Sequence, residues 1–205
     1  DAQQRILEAL SPLPAELISL SSGLGRVLAE DVVSRRSQPP MAVSAMDGYA
    51  VRAVDVATLP ADLAVAGYAP AGHAFDGSVG PGEAVRIFTG APLPDGADTI
   101  VIQENTEQTG ETVRVIEGEA PVGRFVRPAG LDFASGDTLL KAGKVLTARD
   151  IGLAAAMNVP WLMVRRKPRI SILATGDEIV MPGDPVGRDQ IVSSNALSLS
   201  AFVSA

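Results

Sequence analysis

The stretch Val85-Arg86-Ile87-Phe88-Thr89-Gly90-Ala91-Pro92-Leu93-Pro94-Asp95-Gly96-Ala97-Asp98-Thr99-Ile100-Val101-Ile102 decides the fold class. Val85 and Ile87 alternate with Arg86, the period of a strand with one buried face. Pro94-Asp95-Gly96 favours a turn, because Pro fixes φ and Gly tolerates positive φ. The runs on either side of it are read as neighbouring strands. The same texture extends outward: Val113 and Val115 flank Arg114, and Gly/Pro turns recur after Gln38-Pro39-Pro40. Residues from about 41 to 134 therefore read as an all-β unit.

Helical signals lie on both sides of that unit. Ile6, Leu7 and Leu10 followed by Pro12 and Pro14 describe a short amphipathic helix that the prolines end. A second helix is expected over Gly25 to Glu30. Thr147-Ala148-Arg149-Asp150 places a hydroxyl three residues before a carboxylate, a variant capping box. Ile151, Ala154, Ala155 and Met157 then give a buried stripe, and Asn158-Val159-Pro160 stops it. Arg165-Arg166-Lys167-Pro168 reads as a solvated linker and a boundary. Beyond it, Ile170 to Ala174 reads as a buried strand running into Thr175-Gly176-Asp177-Glu178, at the strand end where ligands gather in open α/β sheets. Gln190 to Asn195 and a nascent helix from Ala196 to Val203 follow. One βα unit cannot bury both faces of a parallel strand, so this last portion is either incomplete or supported by another part of the structure.

Composition removes several functional classes. The 205 residues suffice for one large or two small domains with a buried core. Cysteine is absent and His73 is the only histidine, which excludes a disulfide framework, a thiol nucleophile and Cys/His zinc clusters. A formal charge of −7, with no basic run long enough for a phosphate-neutralising surface, argues against nucleic acid as a partner. No apolar run approaches the roughly 18 residues of a membrane span. The first residues, Asp1-Ala2-Gln3-Gln4-Arg5, lack the basic start and apolar middle of a signal peptide, so a cytoplasmic protein without a membrane partner is expected. The missing initiating Met suggests trimming.

What chemistry remains falls to carboxylates, hydroxyls and a hard cation. Asp47, Asp132, Asp177 and Glu178 fit that scheme, and magnesium, which takes oxygen ligands, one or two carboxylates and substrate phosphate, is the natural cofactor. Taken alone, Asp47-Gly48 is a common turn dipeptide, and Thr89 after a strand suits a local hydroxyl turn. Gln103-Glu104 reads equally well as structural or functional. Adjacent Asp177 and Glu178 after an apolar strand need water or a cation, and as a pair they suit either metal binding or proton handling. His73, in a Gly/Pro/Ala-rich loop, is assigned no role.

Three segments taken together carry more. Ser44-Ala45-Met46-Asp47-Gly48-Tyr49-Ala50, Thr89-Gly90-Ala91 and Ala174-Thr175-Gly176-Asp177-Glu178 occur in an order and spacing that resembles the MoeA-like molybdopterin molybdenumtransferase family, to which the E domain of gephyrin also belongs. The family's Ala-Met-Asp-Gly-Tyr-Ala motif is matched letter for letter, although Ala42-Val43 stands where the family often has Asp-Asn. Arg127-Pro128-Ala129-Gly130-Leu131-Asp132 resembles the family's Arg-x-x-Gly-Glu-Asp segment, with Leu131 replacing the acid. Ser193-Ser194-Asn195 matches a less specific polar pattern.

The resemblance implies a mixed α/β multidomain chain. Residues 1–40 with 135–168 would form an elongated, split helical domain, 41–134 an inserted β-barrel-like domain, and 169–205 the start of a three-layer molybdopterin-binding α/β domain. It implies magnesium-dependent insertion of molybdate into adenylylated molybdopterin with release of AMP. Asp47, Thr89, Asp132 and Glu178 would be catalytic, Asp177 and Glu178 metal-binding, and Asn195 a cofactor-binding residue. It further implies a homodimer with shared active sites, in which Asp47 and Thr89 of one subunit face Glu178 of the other. Because the chain is about half the family's usual length, an inactive fragment is expected, with the basic groups that would neutralise the substrate in the absent half. The alternative is a non-catalytic dimeric scaffold of the gephyrin type.

Overall fold

The computed structural model describes residues 1–204. Helix α1 spans Ala2–Glu8; β1, β2 and β3 follow at Ala15–Ser19, Val32–Val33 and Val43–Ser44. Next come β4 Gly48–Val51, β5 Ala61–Ala69, β6 Glu83–Ile87, β7 Thr99–Ile102, β8 Thr106–Thr109 and β9 Thr112–Val115. Then β10 Val126–Arg127, β11 Thr138–Leu140, α2 Ala148–Ala156 and β12 Trp161–Arg165 lead to β13 Ile179–Val180, β14 Ile191–Val192 and α3 Asn195–Ser204. The chain divides into two compact units, a larger one over Glu16–Val164 and a smaller one made of residues 1–15 and 165–204. The result is a mixed α/β chain dominated by strands.

The larger unit centres on a six-stranded sheet in the order β7-β4-β6-β5-β9-β8, in which only β5 and β6 run parallel. Its strands are covered on both faces. Tyr49, Val51, Ala84 and Val101 pack into one core with Leu63, Val113 and Val115. Ala50, Val85, Ile87 and Ile100 pack into another with Ala69, Val79 and Ala91. All four residues of β4 are buried because it is a central strand, flanked by β6 and β7 and covered on both faces; burial of a side chain such as Val51 contributes about 1.5–3 kcal/mol. The expected strands at Val85–Ile87 and Thr99–Ile102 are present, but they are not neighbours, because β4 lies between them and pairs with both. The Pro94-Asp95-Gly96 turn, with Gly96 at φ 82°, carries the chain over that intervening strand.

Gly48 is what permits β4 to sit there. A Cβ at this position would collide with the carbonyl oxygen of Val101 on β7. Only glycine allows so close a backbone approach.

A third core draws on residues from either side of the sheet segment: Leu28 and Val32 pack with Phe133, Leu140, Leu146, Ala154, Met157, Leu162 and Val164. Among the described residues the α-helix there is α2, with a single 3-10 turn at Leu20–Ser22 packed against the same core, and α2 starts with the expected capping box. Thr147 Oγ1 accepts from the Asp150 amide at 3.4 Å, while Asp150 Oδ2 accepts from the Thr147 amide and hydroxyl at 2.8 and 2.7 Å. It ends where expected, with Asn158 at φ 61° and the Val159 and Asn158 amides donating back to Ala154 and Ala155, a closing pattern that satisfies the last carbonyls. The helix expected over Gly25 to Glu30 is not formed. Gly25 takes a φ of 73°, Val27 bridges Val145, Leu28 bridges Val164, and Leu28 is fully buried. Cross-strand pairing and burial outweigh a weak local helical preference.

In the smaller unit, Asp1 caps α1, and β13 and β14 pair in parallel over two residues each. The strand expected at Ile170 to Ala174 is absent, with Ile170 55% and Leu173 84% exposed. A parallel strand that is apolar on both faces needs neighbours on both sides, and no described strand pairs with this segment. Among the described residues no helix is long and apolar enough to cross a membrane.

Candidate functional site

Asp47 stands immediately before β4, and Thr89 stands two residues beyond β6. Since β4 and β6 pair in the register Gly48 to Ile87, both residues emerge at the same end of the sheet. There the Thr89 amide donates to Asp47 Oδ1 at 2.7 Å and the Thr89 hydroxyl donates to the same oxygen at 2.8 Å. Asp47 Oδ2 makes no hydrogen bond to the described residues. Residues 42 apart in sequence are thus brought into direct contact.

The loop leading into Asp47 is set by Ser44. Its buried hydroxyl donates to the Met46 carbonyl at 2.6 Å, and its own backbone exchanges hydrogen bonds with Gly90 and Ala91. On the other side, the Gln103 amide donates to the Asp47 carbonyl at 3.1 Å. Arg86 lies 5.1 Å from the Tyr49 ring and 4.9 Å from that of Phe88, and donates to the Gly48 carbonyl at 3.1 Å and to the Gln103 side chain.

These contacts favour the ionised carboxylate. The Thr89 amide, then its hydroxyl, hold the Asp47 carboxyl below the usual carboxylate range, and the positive charge of Arg86 adds to the effect. Burial pushes the Tyr49 phenol up, against the opposing charge of Arg86. A carboxylate stabilised in its ionised form is a weak proton acceptor. Asp47 is therefore suited to orienting a donor or a developing positive charge with its open oxygen, rather than to removing a proton.

Asp132 is held separately, through an ion pair in which Arg127 Nη2 reaches both carboxylate oxygens at 2.8 Å. Arg127 belongs to β10, whose partner β3 leads into the Ser44–Asp47 loop. Both side chains are about two-fifths exposed, so the pair adds little stability and acts mainly to orient Asp132.

Asp177, Glu178 and Asn195 belong to the smaller unit. Asp177 and Glu178 are exposed in the turn before β13, and Asn195 begins α3 after Ser193, which is buried. Gly176 has a φ of 142°, and a Cβ there would collide with the Glu178 carboxylate, which folds back over it. The Glu178 carbonyl accepts from the Ile191 amide at 2.7 Å. No group of three or more His, Cys, Asp or Glu side chains gathers for a metal among the described residues. Asp177 and Glu178 nevertheless offer accessible oxygen donors of the kind magnesium takes when one or two carboxylates share it with water and substrate phosphate.

Two contributors escaped the sequence reading. Arg86 appeared only as the polar member of an alternating strand, and Ser44 only as a motif letter. The available signal for Arg86 was Phe88 two residues on, because positions i and i+2 share a face of a strand.

The model of the MoeA N-terminal region, domains I and II, matches residues 1–158. A molybdopterin molybdenumtransferase of Nostoc sp. is 42% identical over 192 residues, covering 92% of this chain and 44% of that protein. Molybdopterin molybdenumtransferase 2 of Mycobacterium tuberculosis is 38% identical, covering 98% of this chain and 50% of its own length. The chain thus spans about half the length of the curated relatives it matches. A crystal structure of the molybdopterin biosynthesis MoeA protein of Pyrococcus horikoshii superposes with a TM-score of 0.84 at 33% identity, over 98% of this chain and 52% of the other.

Proposed function

The chain belongs to the family of MoeA N-terminal regions, and from that premise we propose that it forms the N-terminal part of a molybdenum-cofactor biosynthetic transferase that inserts molybdate into adenylylated molybdopterin with release of AMP. The observation that carries this reading is the Asp47–Thr89 contact, in which two separated motif residues meet with one carboxylate oxygen saturated and the other open. A scaffold would need only surface and dimer contacts, whereas here a second motif residue directs the carboxylate and leaves one of its oxygens open.

In this reading the chain's own residues position and polarise. Thr89 bonds one carboxylate oxygen of Asp47 and fixes its direction, so the open Oδ2 can accept a hydrogen bond from a substrate hydroxyl or an attacking water. Arg127 orients Asp132 at the neighbouring strand. Asp177 and Glu178 would hold a magnesium ion, which when bound neutralises charge on the phosphoanhydride. Asn195 would offer its amide to the cofactor. The division into a split domain over 1–40 and 135–168, an inserted β domain over 41–134 and the start of an α/β domain from 169 is part of the same proposal. It is supported by the core that joins residues 28–32 to residues 133–164. A cytoplasmic homodimer with sites shared between subunits completes it.

The test is AMP release from adenylylated molybdopterin by the full-length parent protein. Release that needs both magnesium and molybdate is expected; no release under any of these conditions would move the assignment to a scaffold.

A further inference from the structure

Arg86 is not one of the motif residues discussed above, yet it bonds the two residues that adjoin the Asp47 backbone, Gly48 and Gln103. Its guanidinium donates from Nη1 to the Gly48 carbonyl at 3.1 Å and from Nη2 to the Gln103 side chain. The backbone N–H of the same Gln103 donates to the Asp47 carbonyl at 3.1 Å. Both peptide carbonyls flanking Gly48 are therefore held by one network, while Thr89, three residues after Arg86, holds the carboxylate itself. The guanidinium cannot drift, because it lies against the rings of Tyr49 and Phe88 at 5.1 and 4.9 Å, a contact that favours a planar cation.

We propose that Arg86 is a positioning residue for Asp47, fixing the direction of its carboxylate through the Gly48 peptide and Gln103 in the reaction assigned above. The proposal rests on that functional reading. It differs from a purely structural role because the two nitrogens of the Arg86 fork serve acceptors on separate segments in a fixed geometry that a flexible ammonium does not impose. Lysine retains the charge and three donors, but all of them sit on one nitrogen and lack the fixed planar fork that spans the Gly48 carbonyl and the Gln103 side chain.

Three variants of the full-length parent protein test this: Arg86→Met, Arg86→Lys and Gln103→Leu. In AMP release, Arg86→Met is expected to lose roughly tenfold to a hundredfold in kcat with KM changed by less than about threefold, as for a misplaced reacting group. Arg86→Lys should restore the melting temperature without restoring kcat. Gln103→Leu, at an exposed position that does not threaten folding, should lower kcat in the same direction. A kcat within twofold of the parent in both Arg86→Met and Gln103→Leu, or full recovery of kcat by Arg86→Lys, overturns the proposal. If the parent protein releases no AMP, the functional reading falls by itself, and crystal structures of Gln103→Leu and Arg86→Met then decide: an Asp47 carboxylate displaced from Thr89 supports the positioning role, and one left in place overturns it.

Discussion

Asp47 and Glu178 each stand immediately before a strand, yet the two strands behind them differ. Behind Asp47 runs β4, paired on both sides and buried along its whole length. Behind Glu178 runs β13, two residues long with a single parallel partner. The first carboxylate is gripped by Thr89, by Gln103 at its own carbonyl and through the Arg86 network; the second is exposed and folds over a glycine. The difference teaches that a carboxylate's fixed direction is a property of the sheet that carries it. On the proposed function, chemistry demanding alignment would fall to Asp47, while cation binding, which tolerates exposure, would suit the Asp177-Glu178 pair.

The largest way to break this contrast is Gly48→Ala. The new methyl group would meet backbone, the Val101 carbonyl oxygen, which cannot swing away. A loss of roughly 3 kcal/mol or more in unfolding free energy is expected, measurable by urea unfolding of this chain. A loss below about 1 kcal/mol would mean that β4 is not clamped against β7.

A narrower break is Thr89→Val, which keeps the amide donor and the side-chain shape but removes the hydroxyl. AMP release by the full-length parent should fall roughly tenfold with little change in thermal stability. The Asp47 carboxyl, followed by NMR of labelled aspartate, should titrate at higher pH than in the unmodified protein. An unchanged titration would show that the hydroxyl does not sustain the ionised state.

Acid sharpens the comparison in a different way. Three carboxyls of the larger unit are held below the ordinary range: Asp47 by the Thr89 amide and hydroxyl, Asp31 by the Lys141 side chain and the Ala142 amide, and Asp150 by the Thr147 amide and hydroxyl with Lys144. The unfolded chain, with aspartate near 3.9, binds more protons than the folded one in that range. Their stabilisation is therefore complete above about pH 5 and is lost as pH falls below about 4. Melting temperatures of this chain should be flat from pH 7 to about 5 and then drop; a flat profile down to about pH 3 would contradict the assignment of these contacts.

The smallest effect is expected in the smaller unit. Glu178→Gln removes the charge of an exposed side chain whose backbone, not its carboxylate, bonds Ile191. Unfolding free energy of this chain should change by less than about 0.5 kcal/mol. A larger loss would show that the turn depends on its carboxylate.

Much of this was legible in the residues. The Thr147–Asp150 box, the Asn158 stop and the Pro94-Asp95-Gly96 turn are local signals, and local hydrogen bonding realises each of them. Strand adjacency was not legible, because the insertion of β4 between β6 and β7 depends on pairing across tens of residues. Neither was the failure of the Gly25 to Glu30 helix, which loses to the burial of Leu28 in a core built largely from residues a hundred positions later. Motif resemblance named Asp47 and Thr89 separately; only the register of β4 on β6 shows that they touch. Arg86 was hidden for the same reason, since a charged residue in an alternating strand ordinarily faces water.

On the proposed function, Asp47, directed by Thr89, belongs to the reacting site. The direct measurement is AMP release from adenylylated molybdopterin by the full-length parent protein beside its Asp47→Asn variant, with magnesium and molybdate present. Molybdate-stimulated release that the variant loses while remaining folded is the predicted result. Equal release by both proteins would contradict it.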